Sequence, residues 1–245
     1  MTTTQLASTV PSSAHRRAGM WCVALFVCGS LIGASHKAWA GGFEGTILLK
    51  DVSGGEVSTQ RLSFKGERLR LEETGPRADG SALILDGRTR ESLMIDPDEQ
   101  AYFPFPWPSS STEDAAREAD AVVVTNTGKR AHVAGHACDL YLERDKAGGG
   151  MTEFCLAKEL GGPVLFGLTG SDSAIASFLP TWMAPMIKDG AFPIRAIERD
   201  KAGKEISRFE ATKIESKRLA DSLFAPPAGY RRMNMEEMGR GGAAR

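Results

Sequence analysis

From residue 43 onward the chain is a succession of short strand-like runs cut by turn signals, and this pattern limits the folds open to it more than any other feature. Residues 43–50 and 57–64 flank Asp51-Val-Ser-Gly-Gly, a hairpin turn signal. Residues 68–72 alternate Arg, Leu, Arg, Leu, Glu, which suits a half-buried strand. Residues 82–85 run into Asp86-Gly87, a turn pair, and residues 91–96 are closed by Pro97. Further runs cover 101–103, 129–134, 139–143, 152–156, 194–198 and 205–214. Repeated short strands of this kind predict a large antiparallel sheet. The hexapeptide Glu143-Arg-Asp-Lys-Ala-Gly148 recurs as Glu198-Arg-Asp-Lys-Ala-Gly203, which reads as one hairpin-turn solution used twice, not as a domain duplication.

Two helical stretches interrupt the strands, so the fold class expected is α+β. Ser110 stands three residues before Glu113, a capping-box spacing that opens a helix through Ala119. The second stretch, residues 171–187, carries Ile175, Phe178, Leu179, Trp182, Met183, Met186 and Ile187, apolar on more than one face and therefore expected to be buried. Pro180 and Pro185 are expected to kink or split it.

The first forty residues hold Arg16, Arg17 and Lys37 but no Asp or Glu. An apolar run, residues 20–33, follows the two arginines, and Ala38-Trp-Ala40 precedes Gly41. That is the charged, apolar and small-x-small order of a secretory signal, which predicts cleavage after residue 40 and a periplasmic or secreted protein. The apolar run falls short of the roughly 20 residues a membrane span needs. A lipid anchor at Cys28 is disfavoured because Val27 is not a small residue. The domain reading is thus a cleaved signal at 1–40, one domain at 41–231 and a polar, Gly-rich tail at 232–245 expected to be disordered. Without residues 1–40 the chain has 205 residues, with 27 basic and 31 acidic side chains, a net charge of −4. That balance does not suggest nucleic-acid binding, which needs a concentrated basic face. No other segment reads as a membrane span.

Cys138 and Cys155 are the two cysteines left after cleavage. They lie almost symmetrically about the turn at residues 145–150, so hairpin geometry predicts a disulfide between neighbouring strands; redox-active pairs usually stand closer in sequence. His132 and His136 have a four-residue step that would suit a metal on a helix, but Gly135 and the strand pattern argue against one. Met233, Met235 and Met238 could offer thioethers to copper, but chance methionines in a polar tail are much the better reading. No nucleophile elbow, phosphate-binding loop, dinucleotide fingerprint or zinc-protease helix is present, so neither an enzyme nor a bound cofactor or metal is expected.

The most suggestive feature is apolar. Tyr102, Phe103, Phe105 and Trp107 are concentrated in one proline-stiffened connector, and Phe178, Trp182, Met183 and Met186 lie in the second helical stretch. The two blocks are read either as the wall of an apolar cavity or as a lid over a solid core.

An ordered series of short motifs gives a resemblance. It runs from Asp96-Pro97 with Ala101-Tyr102 to Thr127-Gly128, and on to His132-Val-Ala-Gly-His-Ala-Cys138-Asp-Leu-Tyr141. Thr152-Glu-Phe-Cys155, Phe192-Pro-Ile-Arg195 and Leu223-Phe-Ala-Pro-Pro-Ala-Gly-Tyr230 complete it. The series resembles a family of exported bacterial domains of unknown function, similar in fold to the periplasmic lipoprotein carrier LolA and the mycobacterial lipid-binding lipoprotein LppX. The resemblance implies a curved antiparallel sheet, an incomplete half-barrel, with helices packed in its concave side. By fold analogy it implies an exported binding module for a lipid or acyl chain. The alternatives are an envelope scaffold with a filled core and a protein partner, or a hydrolase or metal-dependent enzyme built on His132 or His136.

Overall fold

The structure is a computed structural model and describes residues 42–107, 112–161, 165 and 179–234. The chain divides into Met1–Ala38 and Trp39–Arg245, and every element below belongs to the second unit.

Among the described residues twelve strands form one curved, unclosed sheet. The first half is a meander of β1 (Gly45–Ser53), β2 (Glu56–Lys65), β3 (Arg68–Thr74), β4 (Ala82–Asp86), β5 (Glu91–Asp96) and β6 (Ala101–Phe105). The second is β7 (Val122–Val133), β8 (His136–Asp145), β9 (Met151–Ala157), β10 (Phe192–Arg199) and β11 (Glu205–Ser216). β11 pairs with β1 and joins the halves, so the order is β12-β6-β5-β4-β3-β2-β1-β11-β10-β9-β8-β7. Each pair is antiparallel except the last, where the two-residue β12 (Arg231–Arg232) runs parallel to β6.

The expected antiparallel sheet is present, and most of the expected strands lie within two residues of their observed bounds. β1 and β8 each run three residues beyond them at one end, and β7 departs furthest. It begins at Val122, well before residue 129, because α1 (Thr112–Ala121) passes into it with no loop. Ser110, the proposed cap of that helix, lies outside the described residues. The helical content expected at 171–187 is described only from residue 179 as a 3-10 turn, Thr181–Met183, directly after Pro180, and a short helix, α2 (Ala184–Lys188), with Pro185 in its first turn. Strand therefore outweighs helix in the described chain far more than an α+β reading suggests. No helix among the described residues is long and apolar enough to cross a membrane.

The repeated hexapeptide makes the same turn twice. Asp145 accepts the amide of Ala147, and Asp200 accepts the amide of Ala202. Gly148 and Gly203 each take a left-handed conformation, φ 75° and 82°, that a side chain would strain. The two turns abut: a Cβ at Gly150 would lie 2.2 Å from the carbonyl oxygen of Arg199.

Each strand alternates its faces. On the main core face Phe64 packs edge-on between Phe43 and Phe192, with ring centroids 5.9 Å apart in both contacts. Ile47, Leu62, Leu69 and Leu85 are wholly buried beside them. Cys138 and Cys155 join this core as a disulfide, with Cα atoms 5.2 Å apart. They are not directly opposite. The register sets Cys155 across from Leu140 and Cys138 across from Ala157, so the sulfurs meet diagonally.

A smaller core lies on the opposite face of the first half, where Ala82, Ile84 and Ile95 alternate with the main-core residues. The segment after β11 covers it as a strap. Leu219 donates its amide to Glu44 at 2.8 Å, and Lys65 donates to the Leu219 carbonyl at 2.7 Å. Phe224 then buries against Ala82, Ile84 and Ile95 with the Arg68 guanidinium 5.0 Å from its ring centre. The strap ends where β12 joins β6.

Two stability predictions follow from this packing. Phe224→Ala should cost about 3–5 kcal/mol, the usual range for a buried phenylalanine, read as a lowered urea midpoint. Replacing Cys138 and Cys155 together by Ala should cost about 3 kcal/mol, as expected for closing a loop of this size. Reductant should then leave the variant's urea midpoint unchanged while lowering that of the natural protein.

Candidate functional site

Strand alternation decides how the aromatic connector is used. In β5 and β6, Met94 pairs with Phe103 and Ile95 with Tyr102, so the two rings point to opposite faces. Tyr102 packs with the smaller core beneath the strap, beside Leu219 and Tyr230. Phe103 is buried on the other face. Phe105 follows it there, 40% exposed, its carbonyl accepting a hydrogen bond from Ser92. Trp107 packs half-buried against the main core. The connector is thus split: Phe103, Phe105 and Trp107 stand apart from Tyr102.

From the second block, Met183 is wholly buried in the main core, and Trp182 and Met186 are half-buried against it. Phe178 lies outside the described residues. Trp182 is the centre of a small aromatic group that the sequence reading left out, its centroid 5.5 Å from Phe154 and 5.8 Å from Tyr141. The signal was present in Asp139-Leu-Tyr-Leu-Glu143, whose alternation puts Tyr141 and Glu143 on one face.

Carboxylates fix this segment in place. The 3-10 turn starts after Pro180, which has no side-chain acceptor for the turn's free amides. Glu118 of α1 supplies one: it accepts the Thr181 amide at 3.0 Å and the Thr181 hydroxyl. Glu143 of β8 accepts the indole N–H of Trp182. Thr152 pairs with both Glu143 and Glu198, so these two glutamates share a face two strands apart. Glu198 accepts a hydrogen bond from Ser207 at 2.9 Å.

His132 and His136 do not converge. Ala134 and Gly135 form a two-residue hairpin turn, and the pairs Val133–His136 and His132–Ala137 send the imidazoles to opposite faces. Among the described residues no three His, Cys, Asp or Glu side chains are placed to hold a metal ion.

Burial pushes the Glu143 carboxyl above its ordinary value of 4.5. The indole N–H pulls it back, and Glu118 and Glu198 push it further up. Between 4.5 and the raised value the folded protein keeps a proton that the unfolded chain has released. The group's stabilising contribution is therefore complete below pH 4.5 and is lost as pH rises through the raised value. Glu143→Gln keeps an acceptor for Trp182 and removes the titration. Its stability relative to the natural protein should rise from pH 4 to pH 7 in urea unfolding, and a constant difference would count against this account.

Several solved structures are similar in chain path. The MucB chain of the Pseudomonas aeruginosa MucA/MucB complex is 16% identical, with a TM-score of 0.47 over 76% of this chain and 56% of that one. This chain thus spans little more than half the length of MucB. An uncharacterized conserved protein from Thermus thermophilus is 11% identical, with a TM-score of 0.46 over 77% of this chain and 88% of that one. A putative outer membrane lipoprotein-sorting protein domain from Vibrio parahaemolyticus is 10% identical, with a TM-score of 0.29 over 74% and 87%. No curated protein matches by sequence. A family model does match, from the first core phenylalanine, Phe43, to the tyrosine that ends the strap, Tyr230: the chain belongs to the family described as "Domain of unknown function (DUF4412)", over residues 43–230.

Proposed function

We propose that this chain is exported to the cell envelope, loses residues 1–40, and works there as a binding module for an apolar ligand, a lipid or an acyl chain. The ligand lies in the concave side of the sheet, against Phe103, Phe105, Trp107, Trp182, Met183 and Met186, with the helical segment 181–188 packed there as a cover. The observation that carries this reading is that several apolar side chains at the main core and on the β6 face turned toward it are incompletely buried. Trp107, Trp182 and Met186 are half-buried, and Phe105 is exposed on the same strand face as buried Phe103. An acyl chain laid against such surface gains about 0.8 kcal/mol per buried methylene. Phe178, which the sequence groups with this wall, lies outside the described residues.

A second reading is supported by the depth of Met183 and Ile187 in the same segment. These two, with Leu179 just before it and the separate Leu165, are at most 1% exposed, the packing of a filled core in a scaffold that binds another envelope protein.

Native mass spectrometry with lipid extraction, on protein purified from the periplasm without detergent, separates the two. A lipid at near-unit stoichiometry is the expected result, with retention falling in Trp107→Ala and Trp182→Ala. A mass free of ligand that stays unchanged after incubation with lipid vesicles would favour the scaffold. The same spectrum should begin at Gly41 and lack the two hydrogens lost in forming the disulfide.

A further inference from the structure

The two edges of the open sheet are unequal. One is β12, two residues long; the other is β7, twelve residues long and, among the described residues, paired on one side only, with β8. Val133 is the one buried residue of β7. Residues 122–126, Val-Val-Val-Thr-Asn, are half-buried or exposed, with Val123 49% exposed. Their register with β8 is unbroken from Val122–Asp145 to Asn126–Tyr141. A bulge then interrupts the ladder between Asn126 and Arg130, and Lys129 and Arg130 follow. Bulges and lysines are the devices that keep an edge from pairing, and here they begin only after residue 126. The first five residues are β-branched or small, uncharged and regular, which is what strand addition needs.

We infer that residues 122–126 of β7 pair with the same residues of a second copy of this chain, antiparallel about Val124. This register sets Val123 opposite Thr125 of the other copy and Val122 opposite Asn126. The charge on either side of the edge selects this occupant. α1 runs directly into β7 and carries Glu113, Glu118 and Asp120 against one base, Arg117. Lys129 and Arg130 stand just beyond the other end of the edge, and Lys158 joins Arg130 on Asp139. Antiparallel pairing about Val124 sets the basic end of each copy beside the last turn of the other's acidic helix, twice by symmetry. A peptide strand from another protein would meet the same backbone without this reciprocal match. Five residue pairs fall short of the roughly 1,200 Å² of a standard interface, so the dimer is weak and salt-sensitive.

Sedimentation equilibrium of the purified protein, at concentrations up to about 1 mM, tests the inference. A monomer–dimer equilibrium weakened by added salt is expected. Val123→Lys, at an exposed position that leaves the fold intact, should abolish the dimer. Lys129→Glu should weaken it about tenfold, or about 1.4 kcal/mol, and the double variant Lys129→Glu/Asp120→Lys should restore it. A protein that stays monomeric throughout overturns the inference and leaves the edge to a strand from another protein. A dimer indifferent to Val123→Lys, or one that the double variant fails to restore, overturns it as well.

Discussion

Phe224, held between the smaller core and the guanidinium of Arg68, fastens the strap after β11 across half of the sheet. The first meander depends on that contact. β4 carries Leu85 on the main core face and Ile84 on the other, both nearly inaccessible to water. A strand that is apolar on both faces must be covered on both. The main core covers one; the strap from Lys217 to Tyr230 covers the other with Leu219, Leu223, Phe224 and Tyr230. Charges place it. Arg68 and Lys65 both reach Asp221 and hold its carboxyl below the usual carboxylate range, Arg68 foremost, but Asp221 is open to water and its ion pairs are screened. Apolar burial therefore supplies the adhesion, and the ion pairs fix where the strap lies. This also gives a physical account of the Leu-Phe-x-x-Pro-x-Gly-Tyr ending within the matched family region. It is a fastening for the sheet, with no chemistry of its own required.

Most of the sheet was legible because its information is local. Period-two alternation and Asp-Gly punctuation act over a few residues, and the expected bounds of β5 coincide with those observed. Features set by distant parts of the chain were not legible. The first half of β7 has no turn signal before it, because a helix feeds it directly. The parallel β12 exists because the strap delivers Arg231 to Ala101, and nothing in Arg-Arg itself marks a strand. The disulfide followed from hairpin symmetry, while its diagonal geometry depended on a register that symmetry alone leaves off by a residue or two.

The candidate site was legible by composition and much less so by direction. Counting aromatics at 102–107 singles out one connector, but alternation divides it, and Tyr102 belongs to the strap's core. The histidine pair fails for the same reason, since cross-strand partners share a face and these two residues have different partners. Glu118, Glu143 and Tyr141 looked like ordinary strand and helix surface residues in the sequence. Their roles depend on Thr181 and Trp182, which lie 63 and 39 residues away from Glu118 and Glu143.

The carboxylates at Trp182 bear on how the segment above the core is held. Apolar burial is non-directional: Met183 and Ile187 would bury as well with the segment rotated or shifted slightly. The hydrogen bonds are directional. Glu118 ties the first amide of the 3-10 turn to α1, and Glu143 ties the indole of the next residue to β8, so one point on a helix and one on the sheet fix the turn's orientation. These bonds stand at the half-buried rim, where Glu143 bears a desolvation penalty that the indole bond only partly offsets. A segment held by depth alone could slide, and one held by polar contacts alone would exchange with water. Buried Met183 and Ile187 supply the holding energy, while the glutamates select one arrangement among those the core accepts.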